Sequence, residues 1–164
     1  MLIPAHNEQL LIGQTLQRLL PQVTAVDRVL VVADNCTDKT ARIARSHGVE
    51  VLERHDTQNR GKGFALAAGV AHLAADPPDV VILLDADCDA AVGMVDILSR
   101  TAMSTGRPVQ ALYLLEPSAS AGFGGLLSAF AFFVKNQVRG REMQRVGLRV
   151  WLTGTGMAFQ WELI

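Results

Sequence analysis

Short apolar runs alternate along this chain with stretches in which apolar residues recur every three or four positions. The runs Leu2–Pro4, Arg28–Ala33, Val49–Glu53, Val80–Leu84 and Val109–Leu114 read as strands. Val80-Val81-Ile82-Leu83-Leu84 is apolar throughout, as a strand covered on both faces must be. The preceding Asp76-Pro77-Pro78-Asp79 is a loop, because proline supplies no N–H to a ladder. Between the strands, Ile12, Leu16, Leu19, Leu20 and Val23 predict a helix over Glu8–Gln22. Thr37 or Asp38 can cap a second helix that runs through Ser46. Phe64, Ala67, Ala68 and Ala71 predict one face of a third, and Val95, Leu98 and Ala102 mark a fourth. Strands alternating with helices in this way predict an α/β fold, a mainly parallel sheet with helices on both faces.

After Tyr113 the pattern changes. Phe123, Leu127, Phe130 and Val134 share a helical face, and a basic stretch over residues 135–149 follows. The longest apolar run, residues 119–134, carries Ser120 and Ser128 as its only polar side chains. It is shorter than the roughly 20 residues needed to cross a bilayer, which points to a core or interfacial helix. Residues 1–115 therefore read as one α/β unit and residues 116–164 as the start of a second lobe. The sequence opens inside a core-like segment, Met1-Leu2-Ile3-Pro4, with no visible secretory signal, and ends as abruptly at Trp161-Glu162-Leu163-Ile164. The expectation is a fragment with material missing at both ends.

Composition adds exclusions. A chain of 164 residues with 49% hydrophobic and 19% charged residues is that of a globular domain and not of a disordered segment. A formal net charge of −1 gives no footprint for a nucleic-acid partner. Cys36 and Cys88 lack the paired spacing of a zinc site or disulfide framework and read as reduced thiols of a cytosolic domain. The four histidines show no metal-ligand spacing either.

In open α/β sheets, ligands bind beyond the carboxyl ends of the strands. Four polar clusters fall there: Pro4-Ala5-His6-Asn7-Glu8, Asp34-Asn35-Cys36-Thr37-Asp38, Asn59-Arg60-Gly61-Lys62-Gly63 and Asp85-Ala86-Asp87-Cys88-Asp89. Carboxylates gathered after three strands repel one another, and a bound cation or hydrogen-bonding ligand would offset that cost. Asp85 and Asp87 can reach one hard divalent ion, Mg²⁺ or Mn²⁺, or divide between metal and ribose. A turn in which Asp87 or Asp89 caps the next helix is the alternative. Asp34 can accept from a nucleobase or ribose, or can form an Asx-turn. Asp38 fits a helix cap better than a ligand contact, and capping competes with binding at Asn7 and Glu8. Arg60 and Lys62 at a helix start favour an anion, against the alternative of a solvated basic loop. Neither the P-loop spacing nor a G-x-G-x-x-G after a strand occurs.

The order of these clusters resembles glycosyltransferase family 2, inverting enzymes of the GT-A fold. Ile3-Pro4-Ala5-His6-Asn7-Glu8 resembles that family's opening motif, and Asp34-Asn35-Cys36-Thr37-Asp38 its aspartate-led second motif. Arg60-Gly61-Lys62-Gly63 is similar to the third, and Asp85-Ala86-Asp87 to the DxD motif. The resemblance implies a nucleoside-diphosphate sugar, in this family most often a UDP-sugar, as donor. Pro4, Ala5, Asn7, Glu8, Asp34, Asn35, Arg60, Lys62, Asp85 and Ala86 would bind it. Asp34 would meet the base, Asp85 the ribose or sugar region, and Asp87 would be the direct ligand of Mn²⁺ or Mg²⁺, with Asp85 beside it. Leu152-Thr153-Gly154-Thr155-Gly156-Met157 resembles the segment beside the acceptor in processive polysaccharide synthases, which places Gly154, Thr155 and Gly156 on the acceptor side. A carbohydrate or lipid-linked acceptor follows, as does a cytoplasmic domain anchored to a membrane through segments outside this chain. The family's later acidic motif, which supplies the general base, and the QxxRW motif of processive members do not occur before Ile164. No catalytic residue is therefore expected within the chain. The alternatives are a sugar-phosphate nucleotidyltransferase, against which stands the lack of a glycine-rich triphosphate loop near the first strand, and a non-catalytic nucleotide-binding fragment.

Overall fold

The computed structural model describes residues 1–117, 120–148 and 150–164. Ala119 of the long apolar run and Arg149 of the basic stretch lie outside the described residues. Six strands form one sheet: β1 (Leu2–Ala5), β2 (Leu30–Asp34), β3 (Glu50–Arg54), β4 (Val80–Leu83), β5 (Val109–Gln110) and β6 (Met157–Gln160). Their order is β3-β2-β1-β4-β6-β5. β1 to β4 run parallel, whereas β6 lies antiparallel to both β4 and β5.

Two-residue alternation explains why the central strands are apolar throughout. Ile3, Val31, Ile82 and Leu84 point to one face. There they pack with Ile12, Leu16 and Leu19 of α1 (Ile12–Leu19), Ala44 of α2 (Thr40–Ser46), and Val95, Leu98 and Ala102 of α4 (Met94–Thr105). Leu2, Leu30, Val32, Val81 and Leu83 point to the other face, against Ala65 and Leu73 of α3 (Lys62–Leu73). The parallel strands β1, β2 and β4 thus deliver Ala5, Asp34 and Asp85 to the same edge of the sheet.

Several elements differ from the sequence expectation. The first helix begins at Ile12 and not at Glu8, because the Glu8 carbonyl already accepts from Leu11 and Ile12 in a preceding turn. It tightens into a 3-10 turn at Leu20–Gln22, where Pro21 has no N–H to continue the α pattern. The core face of α3 is Ala65, Gly69 and Leu73, not Phe64, Ala67, Ala68 and Ala71. Close approach to the sheet decides this, since a Cβ at Gly69 would lie 3.0 Å from Val32 Cγ2 and 3.1 Å from Leu2 Cδ2. Phe64 turns outward instead, with the Arg54 guanidinium 5.8 Å from its ring centre.

The expected strand Val109–Leu114 stops at Gln110. Its partner ends where Gly154 and Gly156 take positive φ, so the last inter-strand bond is Ala111 N–H to the Gly156 carbonyl. β6, which periodicity does not announce, comes from the segment expected to open a second lobe and pairs between β4 and β5. α5 (Phe123–Phe133) buries none of its residues and continues through a π turn (Val134–Val138) into α6 (Arg139–Arg145). A core role for α5 is therefore not met within the described residues. Its Phe132 stands edge-on to Tyr113 at 5.2 Å. Among the described residues no helix is long and apolar enough to cross a membrane.

At the outer edge, Glu50 ties β3 to α3 and to the entry of β2. It bonds His72 Nε2 at 2.6 Å and accepts from Arg28 Nη2 at 3.1 Å. The bond to His72 first, then Arg28, holds the Glu50 carboxyl below its ordinary value of 4.5. A depressed folded value means the contribution is complete above 4.5 and disappears as the pH falls through the folded value. Glu50→Gln should therefore cost at most about 1 kcal/mol near neutrality, because the cluster is well solvated. That difference should vanish in acid. Denaturant unfolding across the pH range checks it, and a pH-independent difference would contradict the ionic explanation.

Candidate functional site

The loops after β1 and β2 are stitched together before any ligand is considered. Asn7, with φ of 55°, turns its Oδ1 to accept from Thr37 N at 2.8 Å. Glu8 N donates to Thr40 Oγ1 at 2.8 Å, and Gln9 N to Asp38 Oδ2 at 3.1 Å. Asp38 Oδ1 accepts from Thr40 N at 2.9 Å and from Thr40 Oγ1 at 2.5 Å. Asp38 lies one residue ahead of the α2 N-cap, Lys39, and its carboxylate holds Thr40 and Gln9 without lining the cavity. The Asn7 side chain faces the neighbouring loop and does not join the cavity lining.

These loops border a cavity of about 400 Å³ at the carboxyl edge of the sheet. Pro4, Ala5, His6 and Glu8 line it from the end of β1 and the loop after it, and Asp34 and Asn35 from the end of β2 and the residue that follows. Arg60, Gly61, Lys62 and Ala65 line it from the start of α3, and Asp85, Ala86 and Asp87 from the loop after β4. Pro4, Ala5, Ala65 and Ala86 are compact and apolar, so they leave flat-walled space while the charged groups ring it. Such a volume and mixture suit a small-molecule ligand. Apart from Asn7, the structure brings every sequence-predicted donor residue to this one cavity.

Asp34 is buried on the floor of the site. Its Oδ1 accepts from Arg54 Nη1 at 2.6 Å and from Asn35 Nδ2 at 3.1 Å. Asn35 in turn exchanges bonds with the backbone of Asp56, accepting at 2.8 Å and donating at 3.0 Å. At the opposite side, Lys62 Nζ bonds both Asp85 Oδ1 and the Gly154 carbonyl, the latter at 2.6 Å. Gly61, with φ of 115°, sets the entry into α3 in a backbone conformation that side-chain-bearing residues rarely adopt.

Thr155 is buried and its Oγ1 accepts from Asp85 N at 2.9 Å. Thr15 Oγ1 donates to the Ala86 carbonyl at 2.8 Å from the other side. The loop carrying both aspartates is therefore pinned between α1 and the turn before β6. Gly154, Thr155 and Gly156, expected beside an acceptor, lie next to Asp85, through Lys62 at Gly154 and directly at Thr155.

Asp85, Asp87 and Cys88 present ligand atoms within 4.8 Å of one another. The chemistry of this donor set fits a hard divalent ion held by the two carboxylates. Burial raises the Cys88 thiol above its ordinary value, and its Sγ already pairs with Thr155 Oγ1 at 3.3 Å, so it is not an equivalent third donor. Lys62 occupies one oxygen of Asp85, which leaves exposed Asp87 as the more available carboxylate. Glu8 is raised as well, by burial first and then by the charges of Asp87 and Asp38. The smaller, charge-derived part of that rise comes from neighbouring carboxylates, and a cation bound among them would offset it.

His6, Gly61 and Ala65 line the cavity without having been singled out as binding residues in the sequence. His6 Nδ1 sits 2.7 Å from the Asp34 carbonyl, and membership of the first motif was its only advance signal. Tyr113 is a second omission. Its hydroxyl is raised by burial first and then by Cys88, Asp87 and Asp85, which places it beside the same loop.

With this geometry in place, comparison with known proteins gives a consistent result. The model of the family described as Glycosyl transferase family 2 matches residues 1–98, and the chain belongs to that family. The 4,4'-diaponeurosporenoate glycosyltransferase of Staphylococcus aureus (strain USA300) is 39% identical over 89 residues, covering 52% of this chain and 23% of that protein. Glucosyl-3-phosphoglycerate synthase from Mycobacterium tuberculosis in complex with UDP superposes over 99% of this chain and 56% of its own, with a TM-score of 0.65 and 25% identity. The same synthase with Mn²⁺, UDP-glucose and phosphoglyceric acid gives a TM-score of 0.63 and 26% identity. The fold is the GT-A fold of these glycosyltransferases. The chain spans about a quarter of the length of the curated relatives it matches and just over half of the matched solved structures.

Proposed function

We propose that the protein of which this chain forms the donor half transfers a sugar from a UDP-sugar to an acceptor hydroxyl, with inversion at the anomeric carbon. The observation that carries this reading is the convergence of Asp34, Arg60, Lys62, Asp85 and Asp87 on one cavity at the strand ends. Asp34 accepts from the base, Arg60 and Lys62 face the diphosphate at the start of α3, and Asp87, with Asp85 beside it, holds Mn²⁺ or Mg²⁺. When bound, the ion supplies positive charge where negative charge accumulates on the departing diphosphate. Arg60 and Lys62 add positive charge from the protein itself. The proton of the acceptor hydroxyl passes to a carboxylate outside residues 1–164, and UDP leaves with the electron pair of the broken glycosidic bond. Gly154, Thr155 and Gly156 stand on the acceptor side of this arrangement.

The acceptor we propose is a carbohydrate or lipid-linked hydroxyl, in polysaccharide or glycoconjugate synthesis, with membrane attachment through segments outside this chain. The two relatives differ here, one being named for 4,4'-diaponeurosporenoate and the other holding phosphoglyceric acid. Family membership alone therefore leaves the acceptor open.

Calorimetric titration with UDP and UMP, each with and without Mn²⁺, tests the donor site. Mn²⁺ should strengthen UDP and leave UMP nearly unchanged, because only UDP carries the diphosphate. Absence of UDP binding in both conditions would remove the reading. Release of pyrophosphate from UTP and a sugar phosphate would instead support a nucleotidyltransferase.

A further inference from the structure

We propose that Arg54 is a positioning residue that makes the site selective for uracil, by occupying one oxygen of Asp34 and leaving the other for the base. This rests on the donor reading above, in which Asp34 meets the nucleobase. Register makes the pair unavoidable: Asp34 and Arg54 are direct neighbours at the ends of parallel β2 and β3. A carboxylate oxygen has room for about two hydrogen bonds. Asp34 Oδ1 has both, from Arg54 Nη1 and Asn35 Nδ2. No bond to Asp34 Oδ2 occurs among the described residues, while the Asp34 side chain lines the cavity.

Arg54 is itself held from behind. Its Nη2 donates to Asp56 Oδ2 at 2.9 Å, and Phe64 lies against the guanidinium. Asp56 is fixed in turn by Asn59 Nδ2 at 2.9 Å and by the N–H groups of Gln58 and Asn59, both at 3.0 Å. Arg54 does not line the cavity, so it acts on a ligand only through Asp34.

The site therefore offers one carboxylate oxygen, not a pair. Uracil carries a single ring N–H between two carbonyls and needs one acceptor. Guanine presents two adjacent donors, which match a carboxylate through both oxygens. Here its second donor would face an oxygen already saturated, and a buried donor without a partner is costly. Cytosine has no N–H at the corresponding ring position and would turn a lone pair toward the carboxylate.

Binding of UDP, GDP and CDP, each with Mn²⁺, to the wild type and to Arg54→Met and Arg54→Lys tests the assignment. Wild type should prefer UDP. Arg54→Met frees Oδ1 and lets the carboxylate rotate, so UDP affinity should fall about tenfold while the UDP-to-GDP preference narrows by a similar factor. Arg54→Lys keeps one cationic donor on Oδ1 and should retain most of the preference. A purely structural role would weaken UDP and GDP alike, and an unchanged ratio in Arg54→Met would overturn the proposal. If Arg54→Met does not fold, Asp56→Asn loosens the rear anchor and should narrow the ratio in the same direction, with an unchanged ratio again decisive against it. A wild type that binds no UDP would instead sink the donor reading.

Discussion

Asp87→Ala should abolish the Mn²⁺-dependent part of UDP binding, a loss of roughly a hundredfold or about 2.7 kcal/mol. Three features make the expectation specific. Asp87 is exposed on the loop after β4, so its removal should change folding stability by no more than about 0.5 kcal/mol. Its neighbour Asp85 cannot substitute fully, because Lys62 already holds one of its oxygens. Cys88 cannot either, since its thiol is buried against Thr155. Asp89→Ala serves as the control, because Asp89 faces Arg18 and not the cavity. Isothermal titration of both variants with UDP, at fixed Mn²⁺ and without it, reads the effect directly. Retention of the Mn²⁺ enhancement in Asp87→Ala would rule out Asp87 as the metal ligand.

Gly69→Val should destabilise the fold by about 1–3 kcal/mol without any contact with the cavity. A Cβ at this position would overlap the van der Waals surface of Leu2 Cδ1, with Val32 Cγ2 at 3.0 Å. Leu2 is fully buried at the centre of the sheet, so it has no empty volume into which to swing. Valine adds two further carbons to the same crowded space and prefers helix less than straight-chain residues do. Gly69→Ala should cost less, because the gain in helix propensity of about 1 kcal/mol offsets part of the clash. Equilibrium denaturation of the two variants gives the comparison. Equal stability of Gly69→Val and wild type would mean that α3 can lift from β1 and β2 more easily than its packing implies.

How far the sequence revealed this molecule depended on whether a signal was local. Val80–Leu84 was plain because a strand covered on both faces is apolar at every position. Met157–Gln160 was not, since four residues carry too little alternation and both partner strands lie far away in the chain. The face of α3 was misjudged because side-chain bulk pointed to Phe64, whereas packing distance selected Gly69. At the site, the polar clusters after the strands were legible by their position. Asn7 was legible as a junction residue, but only the fold decided that it serves the loop after β2. Arg54 gave no signal at all: an arginine at a strand end acquires meaning only when the strand register sets it beside Asp34.

The antiparallel return of β6 also has a consequence for how the chain acquires its fold. β4 pairs with β6 across about 80 residues, Val80 meeting Gln160 and Leu83 meeting Met157. Until that late segment has left the ribosome, one side of β4 is an open edge, its backbone groups free to recruit a strand from another molecule. Pairings between such distant segments also form slowly. A boundary drawn before Thr155 would make that transient edge permanent, and would remove the Thr155 hydroxyl that accepts from Asp85 N as well. The aggregation behaviour of shortened variants is thus coupled to the integrity of the loop that carries Asp85 and Asp87.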